Sequence, residues 1–330
     1  MKICVIDCGT STIRVMLAEG RTLLAKETAA VGVRATAISG TNSALKAGIT
    51  RCWEGALSTA GLRSVDIGMV IASGMITSNL GLIDLPHLVA PVGEDELRTN
   101  MVVQSFPEVI PLPIHFVRGI RNAVNLAGKE AYTHMDFMRG EETQVIGLLH
   151  LLDFEPPFSI VNLSSHTKII GVDSQGRILG SVTTLSGQLF AALRESTLIA
   201  DSLPKSDEIR YEEVSLEMAR RGFQTVLDFG LLRAIFVPRL LDILLPTTPM
   251  ERLSFLEGAL VAGDYQCMPL ARRHGLPLER LVVAGDPLRT SLFQELLRSQ
   301  AGFRGDIITM DTERMDQATL VGACALATRG

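Results

Sequence analysis

Residues 2–18, KICVIDCGTSTIRVMLA, organise the reading of the whole chain. Residues 2–6 form a β-prone apolar run that stops at Asp7, Gly9-Thr10-Ser11-Thr12 reads as a turn, and residues 13–18 form a second β-prone run before Gly20 and a third over 23–26. A β-hairpin with a polar tip is therefore predicted. At such a tip a glycine lets the backbone approach a phosphate. The N–H and hydroxyl groups of Gly9, Thr10, Ser11 and Thr12 supply donors, and the preceding acid, Asp7, can hold magnesium through water. An ordinary Gly-Thr-Ser turn is the plainer reading of the same residues.

The pattern returns at the start of the second half. Residues 158–163 read as a strand, Ser164-Ser165-His166-Thr167 as a polar turn, and 168–173 and 178–183 as two further strands, so the architecture looks duplicated. Between the hairpins an amphipathic helix is expected over 41–60 with Thr41 or Asn42 as its cap, and a buried strand over 66–72 feeds Ser73-Gly74-Met75. Strand, helix and strand together imply a layered α/β domain. Residues 86–113, with prolines at 86, 91, 107, 111 and 113, are expected to connect or cover rather than build a core. A helix over 144–152 opens on acids that suit the positive end of its dipole and ends before Pro156-Pro157. Helices are further expected over 187–202, 206–221, 255–274 and 316–327, with a strand over 280–284 before Gly285.

Composition narrows the class. With 330 residues, 47% hydrophobic and 20% charged, the chain has material for about two domains. Net charge is −5 and the cations are scattered, which argues against nucleic acid as a partner. The first apolar run meets Asp7 too early for a signal-peptide core, and the longest oily stretch, 231–246, is broken by Arg233 and Arg239, so no membrane partner is expected. Around 229–245 two readings stay open, surface for a homodimer or core. Cysteines at 4, 8, 52, 267 and 324 are odd in number and form no C-x-x-C pair, which fits a reducing cytoplasm rather than a disulfide framework or zinc site. Cys4 and Cys8 could share a strand face, as small buried side chains or, less simply, as a redox pair.

Other constellations carry chemistry. Glu141 and Glu142 open a helix, where a carboxylate could take the proton of an attacking hydroxyl, although dipole-complementing acids are the commoner reason for such a pair. Asn162 to Lys168 supplies hydroxyl, imidazole and ammonium donors suited to phosphates, or merely a solvated turn. Gly285 sits at a strand-to-helix turn where adenosine could lie against backbone. Ser73 to Asn79 combines small and amide-bearing residues suited to a polyhydroxy substrate, or a plain connection. Met69 and Met75 read as core, and lone His87, His115, His134 and His150 as packing or surface residues. No G-x-G-x-x-G follows the first strand, which disfavours a dinucleotide-binding dehydrogenase.

In this order the pieces resemble the 2-dehydro-3-deoxygalactonokinase family. The run Met138-Arg139-Gly140-Glu141-Glu142-Thr143-Gln144-Val145-Ile146-Gly147 is similar to that family's signature almost letter for letter. Asp7-x-Gly9-Thr10-Ser11-Thr12-x-Arg14, Gly74-Met75 with Ser78-Asn79, Ser165-His166-Thr167-Lys168, Ser186 to Phe190 and Gly258-Ala259-Leu260 match in support. The resemblance implies an α/β fold of two actin-like (ribonuclease H-like) domains with ATP and magnesium in a cleft between them, divided as 1–140 and 141–330, the last helix over about 312–330 packing back at the junction. It implies phosphorylation of the 6-hydroxyl of a keto-deoxy sugar acid, with Glu142 or Glu141 as base and Asp7 serving magnesium. Gly9, Thr10, Ser11, Thr12, Ser165, His166, Lys168, Gly187 and Gly285 would serve ATP. Arg14, Gly74, Met75, Ser78, Asn79 and Arg139 would serve the sugar acid, since an Arg fork suits a planar carboxylate. The chain departs from the family pattern at Cys8 and Ile169, each a Trp there, at Ser164, a Gly, and at Gln188, a Glu. A non-catalytic binder of the same fold and a kinase for another aldonate or ketose are the alternatives.

Overall fold

A computed structural model describes residues 1–124 and 131–328. They fall into two compact units, one of Met1–Pro157, Val172–Gly180 and Glu313–Gly330, the other of Phe158–Gly171 and Ser181–Thr312.

The first unit begins with the expected hairpin, β1 (Lys2–Cys8) and β2 (Ile13–Glu19), and continues through β3 (Thr22–Ala29), α1 (Val33–Ser39), α2 (Ser43–Ala60) and β4 (Met69–Gly74). There follow β5 (Leu88–Val89), α3 (Glu94–Thr99), β6 (Val102–Phe106), β7 (Ile110–Phe116), β8 (Ile120–Arg121), β9 (Phe137–Met138) and α4 (Glu141–Leu151). Its main sheet has the order β3-β2-β1-β4-β7-β6, with β1 antiparallel to β2 and parallel to β4. Leu45, Ile49, Cys52, Trp53 and Ala56 recur three or four residues apart on α2 and bury that face against the sheet.

The proline-rich stretch does more than connect. β7 lies inside the main sheet and buries Ile110, Ile114 and Phe116 completely, contrary to the sequence expectation. The prolines are tolerated because Pro111 and Pro113 fall on exposed alternate positions, while the pairing to β4 begins only at Ile114.

The opening recurs in β10 (Phe158–Leu163), β11 (Thr167–Val172) and β12 (Ile178–Thr184), which belong to the second unit except at Val172 and 178–180, and this sheet runs β12-β11-β10-β13-β14. The second unit's helices are α5 (Ser186–Glu195), α6 (Leu216–Phe229), α7 (Leu231–Ala234), α8 (Val237–Leu244), α9 (Pro249–Tyr265), α10 (Met268–Arg273) and α11 (Pro287–Ser299), with β13 (Arg280–Gly285) and β14 (Asp306–Met310) completing the sheet. Two expected helices shift. The stretch 206–221 becomes two short turns followed by α6, whose start is set by the Ser215 side chain accepting the Met218 N–H. α9 starts earlier than expected, where Thr248 and Glu251 form a capping box before Pro249.

The last helix, α12 (Thr312–Ala327), lies in the first unit beyond Glu313; residues 329 and 330 of the helix expected over 312–330 lie outside the described residues. α4 also belongs to the first unit, not to a domain beginning at 141, because glycines let α4 and α12 touch at the backbone. A Cβ on Gly147 would lie 1.8 Å from the Ala318 carbonyl oxygen, and one on Gly322 1.9 Å from that of Thr143.

Candidate functional site

In the first unit the parallel register of β1 and β4 sets Asp7 level with Ser73 and Cys8 level with Gly74. Gly74 has φ 90°, and a Cβ there would lie 2.4 Å from the Cys8 carbonyl oxygen; one on Gly140, φ 108°, would lie 3.2 Å from the Gly74 Cα. The carboxyl ends of β1 and β4 and the amino end of α4 therefore meet with no side chain between them. Glu142 stands one residue inside α4, wholly buried, both its carboxylate oxygens 2.8 Å from the Gly140 N–H. Burial, and next the neighbouring Glu141, push its carboxyl up to about 8 against those N–H bonds and Arg139. Glu141 is less buried and accepts the Arg139 N–H at 3.1 Å.

The first tip is closed by the Gly9 N–H donating to the Thr12 carbonyl at 2.8 Å. The chain entering α1 sits directly on it, with the Arg34 N–H donating to the Thr10 carbonyl at 2.9 Å. Gly32 makes this contact feasible, since a Cβ there would lie 2.5 Å from the Gly9 carbonyl oxygen. Asp7 pairs with Arg14 at 2.8 Å, and burial raises its carboxyl above the ordinary aspartate range although Arg14 opposes the rise. Level with Asp7, on the same face of the sheet, the Ser73 hydroxyl is buried and makes no hydrogen bond among the described residues.

Several expected substrate residues are otherwise engaged. Arg14 holds Asp7 and Asp316 rather than standing open to a ligand, and Asp316 is also held by Lys26. Arg139 donates to the Thr77 carbonyl and hydroxyl at 2.7 and 2.9 Å and to the Leu85 carbonyl at 2.7 Å, pinning the loop after β4. A guanidinium offers five N–H donors, and buried neighbours capture most of Arg139's. Met75 packs against the first unit's core, Ser78 donates to the Met75 carbonyl at 2.7 Å, and Asn79 is exposed. Cys4 and Cys8 are free thiols buried in that core, and burial pushes both up away from the reactive thiolate, so they read as packing.

In the second unit Ser165 lies against His166, hydroxyl to Nδ1 at 3.1 Å, and Ser164 donates to the His166 carbonyl at 3.0 Å. Lys168, expected to reach phosphates, is buried and donates to the Thr183 hydroxyl at 2.8 Å. Gly187, in the first turn of α5, is wedged on the tip, where a Cβ would lie 2.0 Å from the Ser164 carbonyl oxygen, and the Gln188 N–H donates to the Ser165 carbonyl at 2.8 Å. Gly285, φ 152°, ends β13 level with Leu163 of β10. Just beyond it Asp286 caps α11, and Arg289, its guanidinium 5.9 Å from the centre of the Phe190 ring, faces buried Glu257 at 3.2 Å.

Sequence reading passed over three residues that shape these sites. Gly32 carries no motif. Ser73 was read only as part of a loop, although it ends a buried strand with its hydroxyl inside. Asp264 lies at the base of the second tip, accepting from Thr184 at 2.5 Å and Ser186 at 3.0 Å, with Ser186 in turn 2.7 Å from Thr167. Burial raises its carboxyl, chiefly against the Thr184 bond. Its signal was an acid closing an otherwise apolar helical run.

Two α/β units that each open on a hairpin and set a glycine-ended parallel strand beside it are the build of the actin-like ATPase fold. The solved structures agree. A Sinorhizobium meliloti protein provisionally named a 2-dehydro-3-deoxygalactonokinase is similar over 98% of both chains, with a TM-score of 0.74 at 19% identity. The Acidaminococcus fermentans (R)-2-hydroxyglutaryl-CoA dehydratase component A aligns over 99% of this chain and 100% of its own, at TM-score 0.53 and 13% identity. The activator of the Clostridium difficile 2-hydroxyisocaproyl-CoA dehydratase, with bound ADPNP, aligns over 99% and 95% at TM-score 0.50 and 14% identity. The profile of the 2-keto-3-deoxy-galactonokinase family matches residues 7–325, and the chain belongs to that family. It is accordingly a phosphotransferase of the sugar-kinase kind. Among curated proteins none matches it.

Proposed function

We propose that the chain transfers the γ-phosphate of ATP to the 6-hydroxyl of 2-dehydro-3-deoxy-D-galactonate in the breakdown of galactonate, and that it works in the cytoplasm. The single observation that carries the reading is Glu142. A wholly buried carboxyl at the amino end of α4, beside the backbone junction of Gly74 and Gly140 and pushed up to about 8, is tuned as a general base for an alcohol near neutral pH.

As the substrate oxygen bonds to the γ-phosphorus, Glu142 accepts its proton, the bond from that phosphorus to the β,γ-bridging oxygen breaks, and ADP leaves. The backbone and hydroxyls of Gly9 to Thr12 in one unit and Ser165, His166 and Gly187 in the other are read as phosphate donors, with Gly285 offering bare backbone to the adenosine. Asp7 and the Ser73 hydroxyl, which has no partner among the described residues, fit a hydrated magnesium ion, which favours few carboxylates and keeps its waters. When bound, that ion would supply charge neutralisation at the phosphates. Arg14 and Lys168 then serve by fixing Asp7 and the second hairpin, and Arg139 by fixing the loop that carries Ser78 and the exposed Asn79, where the sugar acid is read to lie.

The test is ADP release from ATP and magnesium with 2-keto-3-deoxygalactonate, 2-keto-3-deoxygluconate and other aldonates. Turnover on the first that Glu142→Gln abolishes supports the proposal. Turnover only on another acid would move the substrate. ATP binding without turnover on any of them would leave a binding protein.

A further inference from the structure

The small sheet of the first unit gathers cations at the amino end of α4. β5 runs parallel to β8 with Leu88 level with Ile120, and β8 antiparallel to β9 with Ile120 level with Met138. One step beyond this row, at the same end, stand His87, Gly119 and Arg139. Gly119 lets the other two close in, since a Cβ there would lie 2.7 Å from the Arg139 Cγ and 3.0 Å from the His87 Cδ2. The His87 ring also packs on Phe137, centres 5.0 Å apart. Arg118 and Arg121, both half-buried, flank the row, and each gives one donor to a main-chain carbonyl, that of Pro86 at 2.8 Å and that of Asn122 at 3.2 Å. Among the described residues, none of the three arginines is ion-paired, and the buried His87 Nε2 makes no hydrogen bond. Burial pushes the imidazole down to about 4, and Arg139, Arg121 and Arg118 push the same way against Asp84.

We propose that His87, Arg118 and Arg121 form the subsite for the carboxylate of the sugar acid, an inference that rests on the kinase reading above and deepens it. Like charges gathered without an acid between them repel, and a bound anion relieves that repulsion. Guanidinium forks take the two oxygens of a planar carboxylate side by side, and an imidazole Nε2–H adds a further donor. Position favours the acid's carboxylate over the phosphates of ATP. Arg139 stands three residues before Glu142 and bonds Thr77 and Leu85, on either side of Asn79 in the loop after β4. An acid anchored at the cluster can lie along that loop with its far hydroxyl toward Glu142, whereas the donors read for phosphate, Gly9 to Thr12, belong to the tip between β1 and β2. Arg14, the sequence's candidate for this carboxylate, is held by Asp7 and Asp316. The role passes to cations that have no acid of their own.

Calorimetric titration of the full chain with 2-keto-3-deoxygalactonate and with its C1 carboxamide tests the subsite. The wild-type chain should bind the amide about 10- to 100-fold more weakly than the acid. Arg118→Gln combined with Arg121→Gln should weaken the acid by a similar factor and leave the amide unchanged, with KM for ATP and the circular dichroism as in the wild type. His87→Phe keeps a ring against Phe137 and removes the nitrogens, so it should weaken the acid about 3- to 10-fold. A wild-type chain that does not distinguish acid from amide, or a double variant that distinguishes them as well as the wild type does, overturns the proposal. ADP release separates this from the kinase reading. A chain that selects the acid through these arginines but turns over no sugar acid leaves the subsite standing and the kinase reading overturned; one that turns the acid over with the same KM in the double variant does the reverse.

Discussion

In the first unit the tip at 9–12 lies under Gly32, the residue before α1; in the second the tip at 164–166 lies under Gly187, in the first turn of α5. Each places a glycine where any side chain would strike a main-chain oxygen, and each hairpin strand runs beside a parallel strand that ends in a glycine, Gly74 or Gly285. What differs is the support beneath. The first tip stands on charge, Asp7 held by Arg14, which is shared with Asp316; the second stands on a buried hydroxyl chain, Thr167 to Ser186 to Asp264. The duplication thus conserves the close approach of helix to tip while leaving each unit to stabilise its tip by different chemistry.

The largest expected effect belongs to a residue with no counterpart in the second unit. Glu142→Gln should lower turnover about 10²- to 10⁴-fold in the ADP-release assay, and a variant retaining most of its rate would remove the functional asymmetry between the units. Its pH behaviour has a definite sign. Glu142 holds its proton more tightly folded than unfolded, so it favours the folded state most below the ordinary carboxylate range, and that contribution is lost as pH rises to about 8. Over the same window kcat/KM should rise, because only the carboxylate can accept the proton. Both trends should flatten or vanish in Glu142→Gln, as read from melting temperature and residual rate against pH.

Gly187→Ala and Gly32→Ala test whether the two wedges are equivalent. Each pushes a methyl into main chain, so each should cost about 1–3 kcal/mol in denaturant unfolding, the former more, since its clash is 2.0 Å rather than 2.5 Å. Both should raise KM for ATP; an effect on ATP from one alone would break the parallel.

Asp264→Ala probes the second tip's support by itself. It takes the acceptor from the half-buried Thr184 and buried Ser186 hydroxyls and should cost about 1–3 kcal/mol and raise KM for ATP with little change in kcat, while Asp264→Asn, able to keep one bond to either hydroxyl, should lie in between. A change in kcat alone would detach Asp264 from the tip.

Gly9→Ala should do least to the fold. Its Cβ would meet only the Thr12 carbonyl oxygen at 3.6 Å, an ordinary contact, so a change within about 0.5 kcal/mol is expected. A large loss of stability there would mean that the tip glycine, not the wedge, bears the strain.

That contrast marks how far the sequence was legible. Both hairpins, α2, β4 and the helix opening at Glu141 follow from apolar periodicity and turn chemistry, which act over a few residues and are written locally. β7 was misread because proline weighs against a strand until it is known which edge is paired and which positions face out. The partners that Arg14, Arg139 and Lys168 hold inside the fold were not legible for a related reason. A cation reads as a ligand for an anion until the fold shows which carboxylate, carbonyl or hydroxyl already holds it.

The sequence by itself determined the duplicated hairpins, the α/β class and the carboxylate pair at 141–142, because residue type and spacing specify them. Only the tertiary structure decided that Gly32 rather than Gly9 is sterically indispensable at the first tip, that Asp264 underlies the second, and that Phe229, Leu232 and Ile243, in the stretch left open between surface and core, are exposed. Each depends on atoms distant in the chain brought within a few ångströms, and no local pattern records that distance.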